Sequence, residues 1–264
     1  MTVVQPVRRH ALAGAVLACG IAWAAVAEAA GVTISPVVLE IGSPRKAIAV
    51  TVTNTSDQPA TFQTEAMVWL QAKGVDRYEP TADLLVVPAI IEVPAKTSQI
   101  FRVMLRSRAP SPVERSYRVM LEDITEEQAA GSGQASVAFK FTHNLPVLVA
   151  PSGKVVNAMH WKPCPTQAVP ASATPAPVKP QAIGGSQACV RLLNAGNRRV
   201  KVQALTLDGN GWQQVLTLKD GENVLAGAER EWRVPLANGQ AGALRGVQVQ
   251  TALGETLQAE AGGF

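Results

Sequence analysis

The side chains equipped for chemistry are few in this sequence, and their spacing assembles no familiar centre. Beyond residue 29 the histidines are His143 and His160, and neither stands near a cysteine or a second histidine at metal-ligand spacing. No Gly-x-Ser-x-Gly elbow, phosphate loop or dinucleotide fingerprint occurs. Glu122-Asp123 and Glu126-Glu127 are acidic pairs, but neighbours on a strand point to opposite faces and make a poor acid/base dyad. They read as solvated rim charges, and His143 reads as a satisfied or exposed imidazole. These residues do not describe an enzyme, and they call for no cofactor and no metal.

Cys164 and Cys189 are the remaining reactive pair. In an exported chain an even count is expected to pair, whereas in a reducing compartment the same two would be inert buried thiols. They flank residues 165–187, a Pro/Ala/Gly-rich insert without periodicity, which reads as a disordered or polyproline-like loop. A bridge closing a loop of that size would contribute about 3 kcal/mol.

Export is written at the N-terminus. Arg8 and Arg9 are followed by an uncharged, alanine-rich run and by Ala27-Glu28-Ala29, a small-x-small cleavage site, so residues 1–29 read as a signal peptide. Two alternatives stay open. The run could be a retained anchor, although Gly14, Gly20 and the alanines make it weakly hydrophobic. Val16-Leu17-Ala18-Cys19 faintly resembles a lipoprotein box, but the apolar run continues past it. Stable membrane insertion after processing is not expected. The formal charge of +4 is mild and no Lys/Arg run suggests a nucleic-acid partner.

The elements that must position these residues are strands. From residue 32 onwards short apolar runs are broken by turn residues, with no sustained helical period. Strands are expected over 32–41, 47–54, 61–70, 84–87, 90–93, 99–105 and 116–124, with 77–83, 106–113 and 125–134 as loops. Pro36 interrupts the first of them and marks an edge or sheet-switching strand. The stretch 135–149 is a further strand, with Val137, Phe139 and Phe141 on one face and Ser136, Ala138, Lys140 and Thr142 on the other. Pro146 cannot donate to a ladder, so this strand belongs at an edge or carries a bulge. Two same-face phenylalanines on an edge need a cover. Either the strand's own sandwich supplies it, or another protein does.

After Ala150-Pro151-Ser152-Gly153 the pattern restarts, with strands expected over 155–161, 189–194, 199–207, 212–218, 223–224, 230–236, 247–253 and 257–259. A weak internal repeat links the halves. VTNTSDQPATFQ matches LLNAGNRRVKVQ, pairing Asn54 with Asn194, and VPAKTSQIFRVML matches VLAGAEREWRVPL without a gap. The 47% hydrophobic content suffices for two cores. The reading is an all-β chain of two immunoglobulin-like antiparallel β-sandwich domains, 30–151 and 152–264.

An exported pair of such domains resembles the periplasmic chaperones of the chaperone–usher pilus pathway, and more narrowly their archaic (alternative) branch. The resemblance is carried by Asn54-Thr55-Ser56-Asp57-Gln58-Pro59, Glu79-Pro80 through Leu84-Leu85-Val86-Val87-Pro88, and Val93-Pro94-Ala95 before Phe101-Arg102-Val103. It continues through Glu114-Arg115-Ser116-Tyr117-Arg118-Val119-Met120-Leu121-Glu122-Asp123 to Asn144-Leu145-Pro146-Val147-Leu148-Val149. It covers most of residues 32–151. The second domain resembles the family in layout only, and the insert matches no family feature.

The resemblance implies a periplasmic protein acting by donor-strand complementation. Pilus or fimbrial subunits lack their last strand, and the chaperone lends its own until an outer-membrane usher takes the subunit into the fibre. No ATP or metal is implied. The donor positions fall on Val137, Phe139 and Phe141, with Ser136, Ala138 and Lys140 turned inward at the sheet's edge.

The better-known branch carries two basic anchor residues at positions that here are Val38 and Pro146. A register anchor is still needed, because a one-residue slip would turn the phenylalanines to the wrong side. The guest's C-terminal carboxylate suits a guanidinium. Arg118 is the expected anchor, since Ser116-Tyr117-Arg118 resembles the archaic motif, with Lys140 second and Arg102 and Arg115 behind. The competing reading makes Arg118 a surface residue paired with Glu122. Two other functions compete with the chaperone: a polymerising fimbrial or coat subunit, and a generic two-domain binding module.

Overall fold

A computed structural model describes residues 31–42, 46–72, 74–106, 109–125, 140–164, 187–236, 243–262 and 264. The expected signal peptide, the donor positions Val137 and Phe139, and the insert up to residue 186 lie outside the described residues. Among the described residues there is no helix, and so none long and apolar enough to cross a membrane.

The first sandwich has two sheets. One runs in the order β1 (Val32–Ser35), β3 (Ala47–Asn54), β8 (Ser98–Leu105), β6 (Leu84–Val87). The other runs β2 (Leu39–Ile41), β10 (Thr142–Val149), β9 (Arg115–Asp123), β4 (Ala60–Ala72), β5 (Val75–Pro80), with β7 (Ile90–Val93) also on β4. Alternation builds the core. Ile48, Val50 and Val52 of β3 point inward, where they meet Phe62, Tyr117, Val119, Leu121, Leu145 and Val147 from the facing sheet. Each such burial contributes about 1.5–3 kcal/mol before the chain entropy is subtracted.

The interruption at Pro36 is a change of sheet, as expected. β1 pairs antiparallel with β3, and three residues later β2 pairs parallel with β10. That parallel pairing covers only Val147–Val149 of β10, so, among the described residues, 142–146 form an open edge on that side. Pro146 is the last residue before the cover begins, a position where its missing N–H leaves no ladder bond unmade.

The second sandwich follows the order β14 (Gln213–Val224), β13 (Val200–Gly209), β16 (Leu244–Thr251), β17 (Thr256–Ala261), β11 (Met159–Pro163), β12 (Gln187–Asn194), β15 (Glu229–Pro235). Val190, Leu192, Leu205, Leu207 and Val247 sit in its core, capped by Trp161 and Trp232. Cys164 and Cys189 form a disulfide, with Cα atoms 5.4 Å apart, joining the end of β11 to β12 across the base of the insert.

The internal repeat is a structural repeat. Asn54 Nδ2 donates to the carbonyls of Gln58 and Val93, at 2.7 and 3.0 Å, while its Oδ1 accepts the Ser56 N–H. Asn194 Nδ2 donates to Arg198 and Val224, at 2.8 and 3.0 Å, and its Oδ1 accepts the Gly196 N–H. Each asparagine ties one hairpin turn to the next, and Val93 and Val224 are the residues the alignment matched. The turns that follow place Lys96 (φ 56) and Gly227 (φ 75) in the same left-handed conformation. Lys96 tolerates it while its ammonium holds the Thr55 carbonyl at 2.8 Å and Asp57 at 3.3 Å.

Three strand expectations change. Residues 77–83, read as a loop, mostly belong to β5, a polar edge strand folded back on β4 through Gly74 (φ 78). The runs 212–218 and 223–224 are parts of one strand, β14, which bends over a register shift against β13. β11 begins at Met159 rather than Val155.

Candidate functional site: the Arg118 cleft and the β10 edge

The outward face of the β10–β9–β4–β5 sheet turns toward the second sandwich. On β9, Tyr117, Val119 and Leu121 go to the core, so Ser116, Arg118 and Met120 go to the other side. On β4 the outward set includes Met67, Trp69 and Gln71. On β10 it includes Asn144, Pro146 and Leu148.

Contacts between the sandwiches close one end of this face. Trp69 and Leu148 pack with Leu225 and Ala228 of the second sandwich in one buried cluster. Gln71 donates to the Asn223 carbonyl and accepts the Leu225 N–H, both at 2.8 Å. At the other contact, Glu114 accepts the Arg199 N–H at 3.1 Å and lies 3.6 Å from the Arg198 guanidinium, and the Glu114 N–H donates to the Asn197 carbonyl. Burial pushes the Glu114 carboxyl above its ordinary value, against the opposing pull of the Arg199 N–H and the two arginine side chains.

Arg118 stands on this face. Its guanidinium lies over the Trp69 ring, 3.8 Å from the centroid, with Tyr78 at 5.7 Å. Nη1 makes a long hydrogen bond to the Asn144 carbonyl, 3.5 Å, and Nε is buried without a partner. Burial lowers its pKa, opposed by Tyr78 and Asp76. An arginine remains charged all the same. Arg118 makes no ion pair among the described residues, and its expected competitor partner does not reach it. Glu122 lies four residues further along β9, about 13 Å away along the strand. A partly desolvated cation with an unused donor favours an incoming anion, because the desolvation cost is already spent and the attraction is less screened.

The edge of β10 leads away from this site. The Phe141 carbonyl accepts the Asp123 N–H at 3.0 Å, continuing the ladder one step beyond Thr142, and the Phe141 ring is 63% exposed. By alternation Phe141 lies on the same side of the strand as buried Leu145 and Val147, past the point where the core ends. The expectation that Lys140 turns inward is therefore corrected: Lys140 is exposed and shares the side of Asn144 and Pro146. Lys140 stands six residues before Pro146 and two before the start of β10. Arg102 lies exposed on β8 in the other sheet, and Arg115 reaches toward the Ala109 carbonyl at 3.5 Å.

Sequence reasoning missed the aromatic bed under Arg118. The signal was Trp69 itself, a large aromatic on the polar parity of β4 beside Gln63, Glu65 and Met67. Among the described residues, the acidic, histidine and cysteine groups close enough to share a metal ion reduce to Cys164, Cys189 and Glu231. The sulfurs of Cys164 and Cys189 are joined to each other in the disulfide.

Comparisons with known proteins concern the fold that carries this face. Residues 31–154 match the model of the pili and flagellar-assembly chaperones, PapD N-terminal domain. Among solved structures, the chain is similar to the CsuC–CsuE chaperone–tip adhesion subunit pre-assembly complex from archaic chaperone–usher Csu pili of Acinetobacter baumannii. The identity is 16%, the match covers 89% of this chain and 100% of that one, and the TM-score is 0.63. The SafA pilin in complex with the SafB chaperone from Salmonella enterica is matched at 13% identity over 88% of this chain and 96% of that one, TM-score 0.55. The E. coli chaperone DraB is matched at 17% identity over 88% and 96%, TM-score 0.52. At these identities the likeness is one of fold. Comparison with curated proteins finds no match.

Proposed function

We propose that this chain, whose first domain belongs to the PapD N-terminal domain family of pili and flagellar-assembly chaperones, holds pilus or fimbrial subunits by donor-strand complementation and hands them to an outer-membrane usher. Such a chaperone has a non-enzymatic role. In this reading residues 1–29 direct export to the periplasm and are removed, residues 30–151 hold the guest, and residues 152–264 form the second wall of the cleft.

The observation that carries the reading is the alignment of an open strand edge with an unpaired cation. Among the described residues, 142–146 of β10 have no partner on one side, Phe141 is exposed beyond them, and Arg118 stands opposite Pro146 without an ion pair. Strand addition on such an edge supplies main-chain hydrogen bonds, while alternate side chains fill the guest's empty groove. Val137, Phe139 and Phe141 are the donor side chains. Arg118 takes the guest's C-terminal carboxylate and so sets the register. No metal, nucleotide or other cofactor enters, since folding of the guest supplies the free energy. The archaic branch is the closer parallel, because the anchor pair of the better-known branch is replaced here by Val38 and Pro146.

Purification of the exported chain with a co-expressed pilus subunit tests the reading. A stoichiometric complex that is lost in Phe141→Asp supports it. A chain that captures no subunit, or captures it equally well with Asp at 141, refutes it.

A further inference from the structure

We infer that Trp69 and Gln71 are positioning residues for Arg118, and that the second sandwich takes part in anchoring by bracing them. The inference rests on the proposed reading of Arg118 as carboxylate anchor. The indole face is the surface on which the guanidinium lies, at 3.8 Å. No hydrogen bond orients that ring, because Trp69 Nε1 is buried and unpartnered. Packing holds it, and the buried cluster around it contains Leu148 from β10, the strand with the open edge, and Leu225 and Ala228 from the second sandwich. Trp69 is 2% exposed, so a shift of any of these neighbours leaves the ring without a fixed seat.

Leu225 is in turn held by Gln71. The Gln71 amide behaves as a one-residue strand partner, accepting the Leu225 N–H and donating to the Asn223 carbonyl, each at 2.8 Å, while Nε2 also reaches Asp76 at 2.7 Å. Arg230 Nη1 donates to the same Asn223 carbonyl at 3.0 Å and lies 4.0 Å from Asp76. Trp69 and Gln71 alternate on one face of β4, and their register partners on β5 are Tyr78 and Asp76. The line of contact runs from the Asn223–Leu225 main chain through Gln71 and Leu225 to Trp69 and then to Arg118. The angle between the sandwiches and the posture of the guanidinium are therefore coupled, and Leu148 extends that coupling to β10. Gln71 does not touch Arg118, so its effect on the anchor is indirect.

The test follows the Arg118 Nε–Hε resonance in the full-length processed protein labelled with [15N]arginine, identified by its loss in Arg118→Lys. Stacking on the indole moves this proton upfield. Gln71→Ala is expected to shift it toward the unstacked arginines and to weaken its response to added acetate, the carboxylate probe, by roughly tenfold, as for a residue acting through a neighbour. Trp69→Phe should keep part of the upfield shift and Trp69→Leu should lose it. Should Trp69→Leu fail to fold, Leu225→Ala serves in its place with the same expectation. An Arg118 resonance unmoved by Gln71→Ala, with the fold intact by circular dichroism, overturns the bracing. The anchor reading fails separately: if Arg118→Ala still captures a co-expressed subunit at the wild-type level while Gln71→Ala moves the resonance, the bracing stands and the anchor assignment falls.

Discussion

Arg118 and Pro146 are register partners across the β9–β10 ladder, and the parallel β2–β10 register, extended one step back from Leu39, brings Val38 beside Pro146 on its other flank. The two positions that the family resemblance aligns with the better-known branch's basic residues are thus neighbours here, both uncharged, and the guanidinium stands one strand further in. Arg118→Ala should abolish subunit capture while changing the free protein's stability by no more than about 1 kcal/mol, since losing the ring stack is offset by removing a buried unpartnered donor. Arg118→Lys should rescue capture only weakly, because an ammonium has neither the fork nor the flat face. Co-purification yields beside melting curves check both. Capture by Arg118→Ala at the wild-type level would place the anchor elsewhere.

Phe141 lies beyond the last buried residue on its side of β10, Leu145, and is 63% exposed. Phe141→Asp should therefore leave the chaperone's circular dichroism and melting temperature essentially unchanged while subunit yield collapses. Phe141→Ala should cost the complex about 3 kcal/mol where the ring is fully buried in the guest. A Phe141→Asp protein that unfolds would show that the ring covers its own sandwich.

Glu114 makes one contact between the sandwiches pH-dependent. Its carboxyl is raised above the ordinary 4.5 by burial. A carboxyl with a higher pKa folded than unfolded binds more protons in the folded state through that window, so its contribution to stability falls as pH rises from the unfolded to the folded value. Glu114→Gln keeps an oxygen for the Arg199 N–H and removes the titration. The stability of wild type relative to this variant should therefore decline from about pH 4 toward neutrality, as urea midpoints would show. A relative stability that rises over that range contradicts the assignment.

The Cys164–Cys189 bridge and the segment it closes belong to the second sandwich. Replacing both cysteines by serine should lower the second sandwich's stability by about 3 kcal/mol. Deleting residues 166–185 while keeping the bridge should leave subunit capture intact. Urea unfolding midpoints and pull-down yields read the two outcomes. Loss of capture on deletion would give the insert a role in guest binding.

Much of this architecture was legible because its signals are local. The alternation in residues 47–54 became β3 without change, and the matched asparagines announced two turns that prove to share the same hydrogen bonds. β5 was not legible: both of its faces are largely exposed, so no alternation marks it, and only its pairing with β4 makes it a strand. The stretch 135–149 reads as an edge strand from its phenylalanines and its proline, but which way Lys140 points depends on the β9–β10 register, which no single strand encodes. The choice of Arg118 came from a motif. Its indole bed and the Gln71 clamp join residues more than 150 positions apart in part, and tertiary contacts of that kind leave no mark in local pattern.

Amide hydrogen exchange on β10, in the free protein and in the purified complex with a pilus subunit, tests strand lending most directly. The outward-facing amides of Thr142 and Asn144 should exchange quickly in the free chain and become strongly protected in the complex, while those of Val147–Val149, already held by β9 or β2, change little. A stable complex in which the Thr142 and Asn144 amides exchange as fast as in the free chain would contradict the central claim.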